Sequence, residues 1–196
     1  MIARLTALSL TLAIASQPMS IEPINAAKVG IIGDSISVPG SGPSGLVHDC
    51  WWQYLEQLAA SHGYNYQMAC EAVGGEQVTE HFAAQLDNLL ASSSPPQVVL
   101  AMGGVNDLAN GKTHAQISEA MDDLEAQAAD QGVQLYWLQP PGVFNKPDTF
   151  GDLAWDLTHE VGCDNETFYM EEISDIVHPT GHYHFRMALE FFQQIF

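Results

Sequence analysis

Residues 28–40 read KVGIIGDSISVPG, a short apolar run that ends at Gly33-Asp34-Ser35. A continuous apolar run closed by a glycine, here Val29 to Ile32 and Gly33, is typical of a β-strand buried on both faces. Such strands belong to parallel sheets covered by helices, so this stretch predicts an α/β fold. A turn does not require a serine at its first exposed position, which makes Ser35 a candidate for chemistry.

Strand and helix patterns alternate along the rest of the chain. The patterns predict further strands over 64–69, 98–102, 133–138 and 167–170, and helices over 50–62, 78–91, 113–131, 152–161 and from 181 onward. Thr113 and Gln116 have the spacing of a capping box at the start of the third helix. Strict alternation predicts a three-layer α/β/α sandwich, with a five-stranded parallel sheet between two layers of helices.

Length and composition indicate one globular domain, which we place at 28–196. The chain has 196 residues, of which 46% are hydrophobic and 15% charged. Five Lys and Arg stand against 24 Asp and Glu, for a net charge of −19. This charge repels phosphate backbones and anionic headgroups, so it excludes nucleic acids and stable membrane association as partners. Neither composition nor pattern indicates an oligomeric state.

Residues 1–15 have the layout of a secretory signal peptide. Arg4 precedes an apolar stretch from Leu5 to Ala15, and small residues stand before Ser16. Cleavage is expected after Ala15 or, alternatively, after Ala27. The stretch is shorter than the roughly 20 residues of a membrane-spanning helix, which disfavours an anchor. The prediction is a secreted or periplasmic protein.

The three cysteines, Cys50, Cys70 and Cys163, form no CxxC pair. A zinc ribbon and a thioredoxin-like site are therefore not indicated. Cys50 begins the first helix and Cys70 ends the second strand, at the same edge of the predicted sheet. We expect these two to form a disulfide, and the alternative is three buried thiols.

Polar residues and glycines follow four of the predicted strands. In open parallel sheets, ligands bind outside the carboxyl ends of the strands, where such loops converge. The four segments are Gly33-Asp34-Ser35, Gly74-Gly75-Glu76, Gly104-Val105-Asn106-Asp107 and Asp175-Ile176-Val177-His178.

These segments contain the groups that acyl transfer needs. Ser35 supplies an oxygen nucleophile, and His178 is the expected base that removes its proton. Asp175, three residues earlier, would orient the imidazole and stabilise its charged form. The backbone N–H of Gly75 and the side-chain amide of Asn106 would stabilise the oxyanion.

The four segments, ending in Asp175-x-x-His178-Pro179, resemble in order and spacing the sequence blocks of the SGNH hydrolases, also called GDSL esterases/lipases. The resemblance implies a flavodoxin-like sheet with strand order 2-1-3-4-5. It also implies a Ser-His-Asp hydrolase of small-molecule esters or thioesters that uses no metal or organic cofactor. The backbone N–H of Ser35 would be a further oxyanion donor. Exported relatives include lysophospholipase/thioesterase-type enzymes and carbohydrate deacetylases.

Two positions depart from the family pattern. Cys70-Glu71-Ala72 stands where the second block usually carries Asn, so either Gly74 or Gly75 could be the donor, and the spacing to Glu76 favours Gly75. Ile36 replaces the usual leucine, an apolar exchange outside the chemistry.

Other interpretations of these residues remain open. His178-x-x-x-His182-x-His184 suggests a metal site, but Pro179 disfavours helical geometry at His178, and residues two apart on a helix point to different faces. A catalytically silent binding module on the same fold is a further alternative. Asp34 and Asp107 are expected to hold their loops through hydrogen bonds to backbone N–H groups.

Overall fold

A computed structural model describes residues 28–40, 50–138, 160–161 and 178–195. The strands are β1 (Lys28–Gly33), β2 (Gln67–Cys70), β3 (Val98–Met102), β4 (Gln134–Leu138) and β5 (Glu160–Val161). The helices are α1 (Trp51–Ser61), α2 (Phe82–Leu90), α3 (Val105–Ala109), α4 (His114–Asp130) and α5 (Gly181–Ile195), and a 3₁₀ turn spans Ser35–Ser37.

The five strands form one parallel sheet in the order β2-β1-β3-β4-β5. The α/β class with a parallel sheet is thereby confirmed, as is the predicted order 2-1-3-4 of the first four strands. Pairing of β1 with β2 ends at Ile31 and Cys70, whereas pairing of β1 with β3 continues to Gly33 and Met102. The last residues of β1 therefore extend beyond β2, toward the loops at the carboxyl edge.

The fifth strand differs from the sequence-based prediction. Glu160 and Val161, expected to end a helix, instead pair with Trp137 and Leu138 of β4. Main-chain pairing with the open edge of β4 overrides the local helical preference of a two-residue segment. The strand predicted over 167–170 lies outside the described residues.

Helices cover both faces of the sheet. On one face α1 packs against α5, where the rings of Trp51 and Phe191 meet edge to face with centroids 5.4 Å apart. On the other face α2 lies against β1 and beside α4. All residues of β3 are buried, as expected for a strand between two helical layers. The predicted capping box of α4 is confirmed, because Thr113 and Gln116 bond each other's backbone N–H groups.

The predicted disulfide between Cys50 and Cys70 is wrong in this structure, where both are free thiols. Their sulfur atoms face two separate carbonyl oxygens of the 3₁₀ turn: Cys50 Sγ lies 3.1 Å from that of Ile36, and Cys70 Sγ 3.8 Å from that of Ser37. The predicted secondary structure placed the two residues at the same edge of the sheet, but it did not determine the direction in which each side chain points.

Among the described residues, no helix has both the length and the apolar character needed to cross a membrane. The predicted signal peptide lies outside those residues and stays a prediction.

Candidate active site

A tight turn at the end of β1 presents Ser35. Asp34 caps this turn, because its Oδ1 accepts a hydrogen bond from the backbone N–H of Ile36 at 2.9 Å. Gly33 is required there: an added Cβ would lie 2.6 Å from Ser37 Oγ and 2.9 Å from the carbonyl oxygen of Met102. The structural role expected of Asp34 is confirmed.

The side chain of Ser35 meets that of His178, although 143 positions separate them in sequence. Ser35 Oγ and His178 Nε2 lie 2.8 Å apart, in a half-buried hydrogen bond. His178 stands just before α5, so the packing of α5 against α1 holds it over the end of β1. This distance is within the range for proton transfer between a hydroxyl and an imidazole.

The loop after β2 lies against the serine. A Cβ added to Gly74 would stand 3.7 Å from Ser35 Cβ, and Gly75 has a φ of +83°, which side-chain-bearing residues rarely adopt. Asn106, in α3, donates a hydrogen bond from Nδ2 to the carbonyl oxygen of Glu76 at 2.9 Å. The structure thus links the two segments from which oxyanion donors were predicted.

Asp107 ties α3 to the start of α2. Its two buried carboxylate oxygens accept hydrogen bonds from the backbone N–H groups of Val78 at 2.8 Å and Thr79 at 3.0 Å. This confirms the structural role expected of Asp107. It also explains why α2 begins at Phe82 and not at Val78, since the Asp107 carboxylate holds the preceding residues in a turn.

Burial raises the pKa of Asp34 from 3.8 to about 7. The Ile36 N–H and the nearby His178 lower that pKa in part, and the carboxyl of Asp107 raises it further. The carboxyl is 1% exposed, and within the described part of the chain its Oδ2 has no hydrogen-bond partner. A buried group with an unpartnered oxygen favours the protonated form.

Gln85 is a buried member of this region that sequence reasoning missed. Its Oε1 accepts from the backbone N–H of Gly33 at 2.7 Å, and its Nε2 donates to the Gly33 carbonyl at 2.9 Å. Nε2 also donates to Glu76 Oε2 at 2.5 Å. The available signal was a glutamine on the inward face of α2, three residues after Phe82 and one before Leu86.

Two further points from the sequence concern Asp175 and the histidines near His178. Asp175, the expected partner of His178, is not among the described residues and stays a prediction. No group of three or more His, Cys, Asp or Glu within the described ranges could hold a metal ion. His184 is buried and His182 is exposed, so these two do not share one face, in keeping with the argument against a histidine metal site.

Comparison with known proteins places this arrangement in context. Residues 31–180 match the sequence pattern of the GDSL-like Lipase/Acylhydrolase family. None of the curated protein sequences is significantly similar to the chain.

Several solved structures share the fold. A protein assigned to the lipolytic G-D-S-L family from Desulfitobacterium hafniense DCB-2 is 13% identical, with a TM-score of 0.69 over 85% of this chain and 98% of that chain. An acetyl xylan esterase from Geobacillus stearothermophilus, Axe2-W215I, is 19% identical, with a TM-score of 0.66 over 90% and 97%. The psychrotrophic esterase EstA from Pseudoalteromonas sp. is 16% identical, with a TM-score of 0.65 over 86% and 96%.

Proposed function

The chain belongs to the GDSL-like Lipase/Acylhydrolase family, a family of ester-bond hydrolases, and on that premise we propose that it is a serine esterase with Ser35 as nucleophile and His178 as base. The observation that carries the proposal is the 2.8 Å hydrogen bond between Ser35 Oγ and His178 Nε2. A serine hydroxyl is a weak nucleophile until a neighbouring base removes its proton.

The reaction proceeds through an acyl-enzyme. His178 takes the proton of Ser35 as Oγ attacks the ester carbonyl, and Asp175 stabilises the imidazolium that forms. The backbone N–H groups of Ser35 and Gly75 and the side-chain amide of Asn106 bind the oxyanion. His178 then protonates the leaving alcohol or thiol, and a water molecule deacylates Ser35 by the same route. No cofactor takes part in these steps.

Small carboxylic esters, of the lysophospholipase or simple esterase type, are the first substrate class. A carbohydrate O-deacetylase is the second candidate, supported by the likeness in fold to the acetyl xylan esterase. The layout of residues 1–15 supports an exported enzyme, which would meet such substrates outside the cytoplasm. A rate profile over acyl chain lengths, with an acetylated xylooligosaccharide beside a lysophospholipid, separates the two classes.

An active-site fluorophosphonate tests the nucleophile. We expect one adduct on Ser35, located by peptide mass, and loss of both labelling and p-nitrophenyl acetate hydrolysis in Ser35→Ala. Ser61→Ala is the matched control, because Ser61 is an exposed serine at the end of α1 whose hydroxyl bonds the Leu58 carbonyl and the neighbouring His62. It should label and turn over like the wild type.

Other outcomes would favour the alternatives. Hydrolysis retained in Ser35→Ala but lost with a chelator would indicate a metal-dependent hydrolase. A folded protein that neither labels nor hydrolyses any ester of the panel would indicate a binding module.

A further inference from the structure

Gln85 connects the end of β1 with the loop after β2. Its side-chain amide bonds both backbone groups of Gly33 and, through Nε2, the carboxylate of Glu76. These three bonds fix the orientation of the amide. If its nitrogen and oxygen exchanged places, the amide nitrogen would face the Gly33 N–H, and two donors would meet. Gln85 is 4% exposed, so its two bonds to Gly33 are shielded from water, whereas its bond to Glu76 is half-buried.

Glu76 extends this connection to the predicted oxyanion donors. Its carbonyl oxygen accepts the 2.9 Å hydrogen bond from Asn106 Nδ2, and its backbone directly follows Gly75. The Glu76 N–H bonds the Val73 carbonyl at 3.3 Å and closes the turn that contains Gly75. One residue therefore sets the positions of the loop backbone and of the Asn106 amide together.

We propose that Glu76 is a positioning residue, which through its side-chain bond to Gln85 holds the Gly75 N–H and the Asn106 amide at a fixed distance from Ser35. The inference rests on the proposed function, because it concerns the donors of that oxyanion site. Glu76 does not touch the reacting atoms. Its effect passes through main-chain and amide donors that must stand about 2.7–3.1 Å from the oxyanion.

The side chain of Glu76 can be removed without disturbing the other bonds. Glu76→Ala keeps the carbonyl that binds Asn106 and leaves both contacts between Gln85 and Gly33 intact. It loses one of the two acceptors of Gln85 Nε2, so the loop is released while the turn at Ser35 keeps its support. Glu76→Gln is the conservative variant, because its amide oxygen can accept the same hydrogen bond without a charge.

Glu71 provides a matched control for charge. It lies on the same loop, and its carboxylate accepts a 3.4 Å bond from the exposed side chain of Asn88. Glu71→Ala removes one negative charge from the same segment and leaves the connection between Gln85 and Glu76 in place.

The experiment measures kcat and KM for p-nitrophenyl acetate and the thermal midpoint of all four proteins. In Glu76→Ala we expect kcat to fall roughly 10- to 100-fold with KM nearly unchanged, as for a displaced oxyanion donor. Glu76→Gln should recover most of kcat, and Glu71→Ala should match the wild type. Fluorophosphonate labelling should slow in parallel with kcat, since its phosphoryl oxygen occupies the same site.

Three results would overturn the inference. They are a wild-type kcat in Glu76→Ala, an equal loss in Glu76→Gln, or a loss of activity that only follows a lowered thermal midpoint. Ser35→Ala, assayed in parallel, separates this failure from that of the proposed function. If Ser35→Ala still hydrolyses the ester, the serine mechanism itself is refuted. If Ser35→Ala is inactive and Glu76→Ala is fully active, only the positioning role of Glu76 is refuted.

Discussion

Replacing Asp34 by asparagine should abolish a loss of folding stability that the wild type suffers as the pH rises from about 4 to about 7. Burial raises the pKa of this carboxyl from 3.8 to about 7. Between those values the folded protein keeps a proton on Asp34 that the unfolded chain has released. The stabilisation from that proton is complete below pH 3.8 and disappears as the pH rises through about 7.

The size of the effect follows from the two pKa values. Integrating the linkage relation for this single group gives a loss of about 3 kcal/mol between about pH 5 and about pH 8. The unpartnered Oδ2 and the neighbouring Asp107 carboxyl act in the direction of this shift, and His178 opposes it. Asparagine keeps an oxygen for the Ile36 N–H but has no proton to lose in this range.

Urea unfolding of both proteins at about pH 5 and about pH 8 measures the effect. The quantity to compare is the change in unfolding free energy with pH in the wild type, minus the same change in Asp34→Asn. This double difference cancels the other titrating groups and any pH-independent cost of the substitution. A double difference near zero would refute the reasoning, because it would mean that Asp34 has similar pKa values in the folded and unfolded states.

Three further predictions concern backbone geometry and charge. Gly75→Ala should lower the unfolding free energy by about 1–2 kcal/mol because of its positive φ, whereas Gly74→Ala should not, and the reverse order would contradict this. Gly103→Ala should cost about 1–3 kcal/mol in the same urea assay, because its Cβ would lie 2.4 Å from Phe82 Cζ, and adding Phe82→Leu should recover part of that loss. With a net charge of −19, kcat/KM for an anionic ester should rise with salt relative to a neutral ester of equal size, and parallel salt profiles would argue against electrostatic repulsion.

The parts of the structure that the sequence predicts correctly depend on regular patterns. Buried strands of a parallel sheet are recognisable as apolar runs, and their carboxyl ends must share one edge. That reasoning alone placed Ser35 near the loop of Asn106, and the family resemblance supplied the strand order. The hydrogen bond between Ser35 and His178 agrees with the predicted pairing of nucleophile and base.

The features that sequence reasoning missed depend on side-chain directions set by distant neighbours. For Asp107 the kind of contact was predicted but not its partners, which are backbone N–H groups 29 and 28 positions away. Gln85, which bonds Gly33 52 positions away, was missed altogether. Neither contact has a local pattern, and a glutamine on an apolar helical face is equally compatible with several partners. The thiols of Cys50 and Cys70 show the same limit, since a shared edge does not determine where each sulfur points.

The geometry at Gly33 explains why the side chain of Gln85 is needed at all. Pairing with β2 stops at Ile31, so the N–H and carbonyl of Gly33, which point to the same side, lie beyond the end of that strand. Val73 reaches only the carbonyl, at 3.1 Å, and Gln85 supplies the acceptor for the N–H. An unpaired buried N–H costs roughly 1–3 kcal/mol, so Gln85→Leu should lower the unfolding free energy by about that amount, measured in urea.

Glu76→Ala should leave that free energy nearly unchanged, because both bonds to Gly33 persist and the half-buried position of the lost carboxylate can be taken by water. Substitutions at the two partners of this hydrogen bond should therefore have different effects, because folding stability depends on Gln85 and turnover on Glu76. Equal losses of stability in both variants would contradict this division, since they would show that the carboxylate of Glu76 holds the Gln85 amide in place on Gly33.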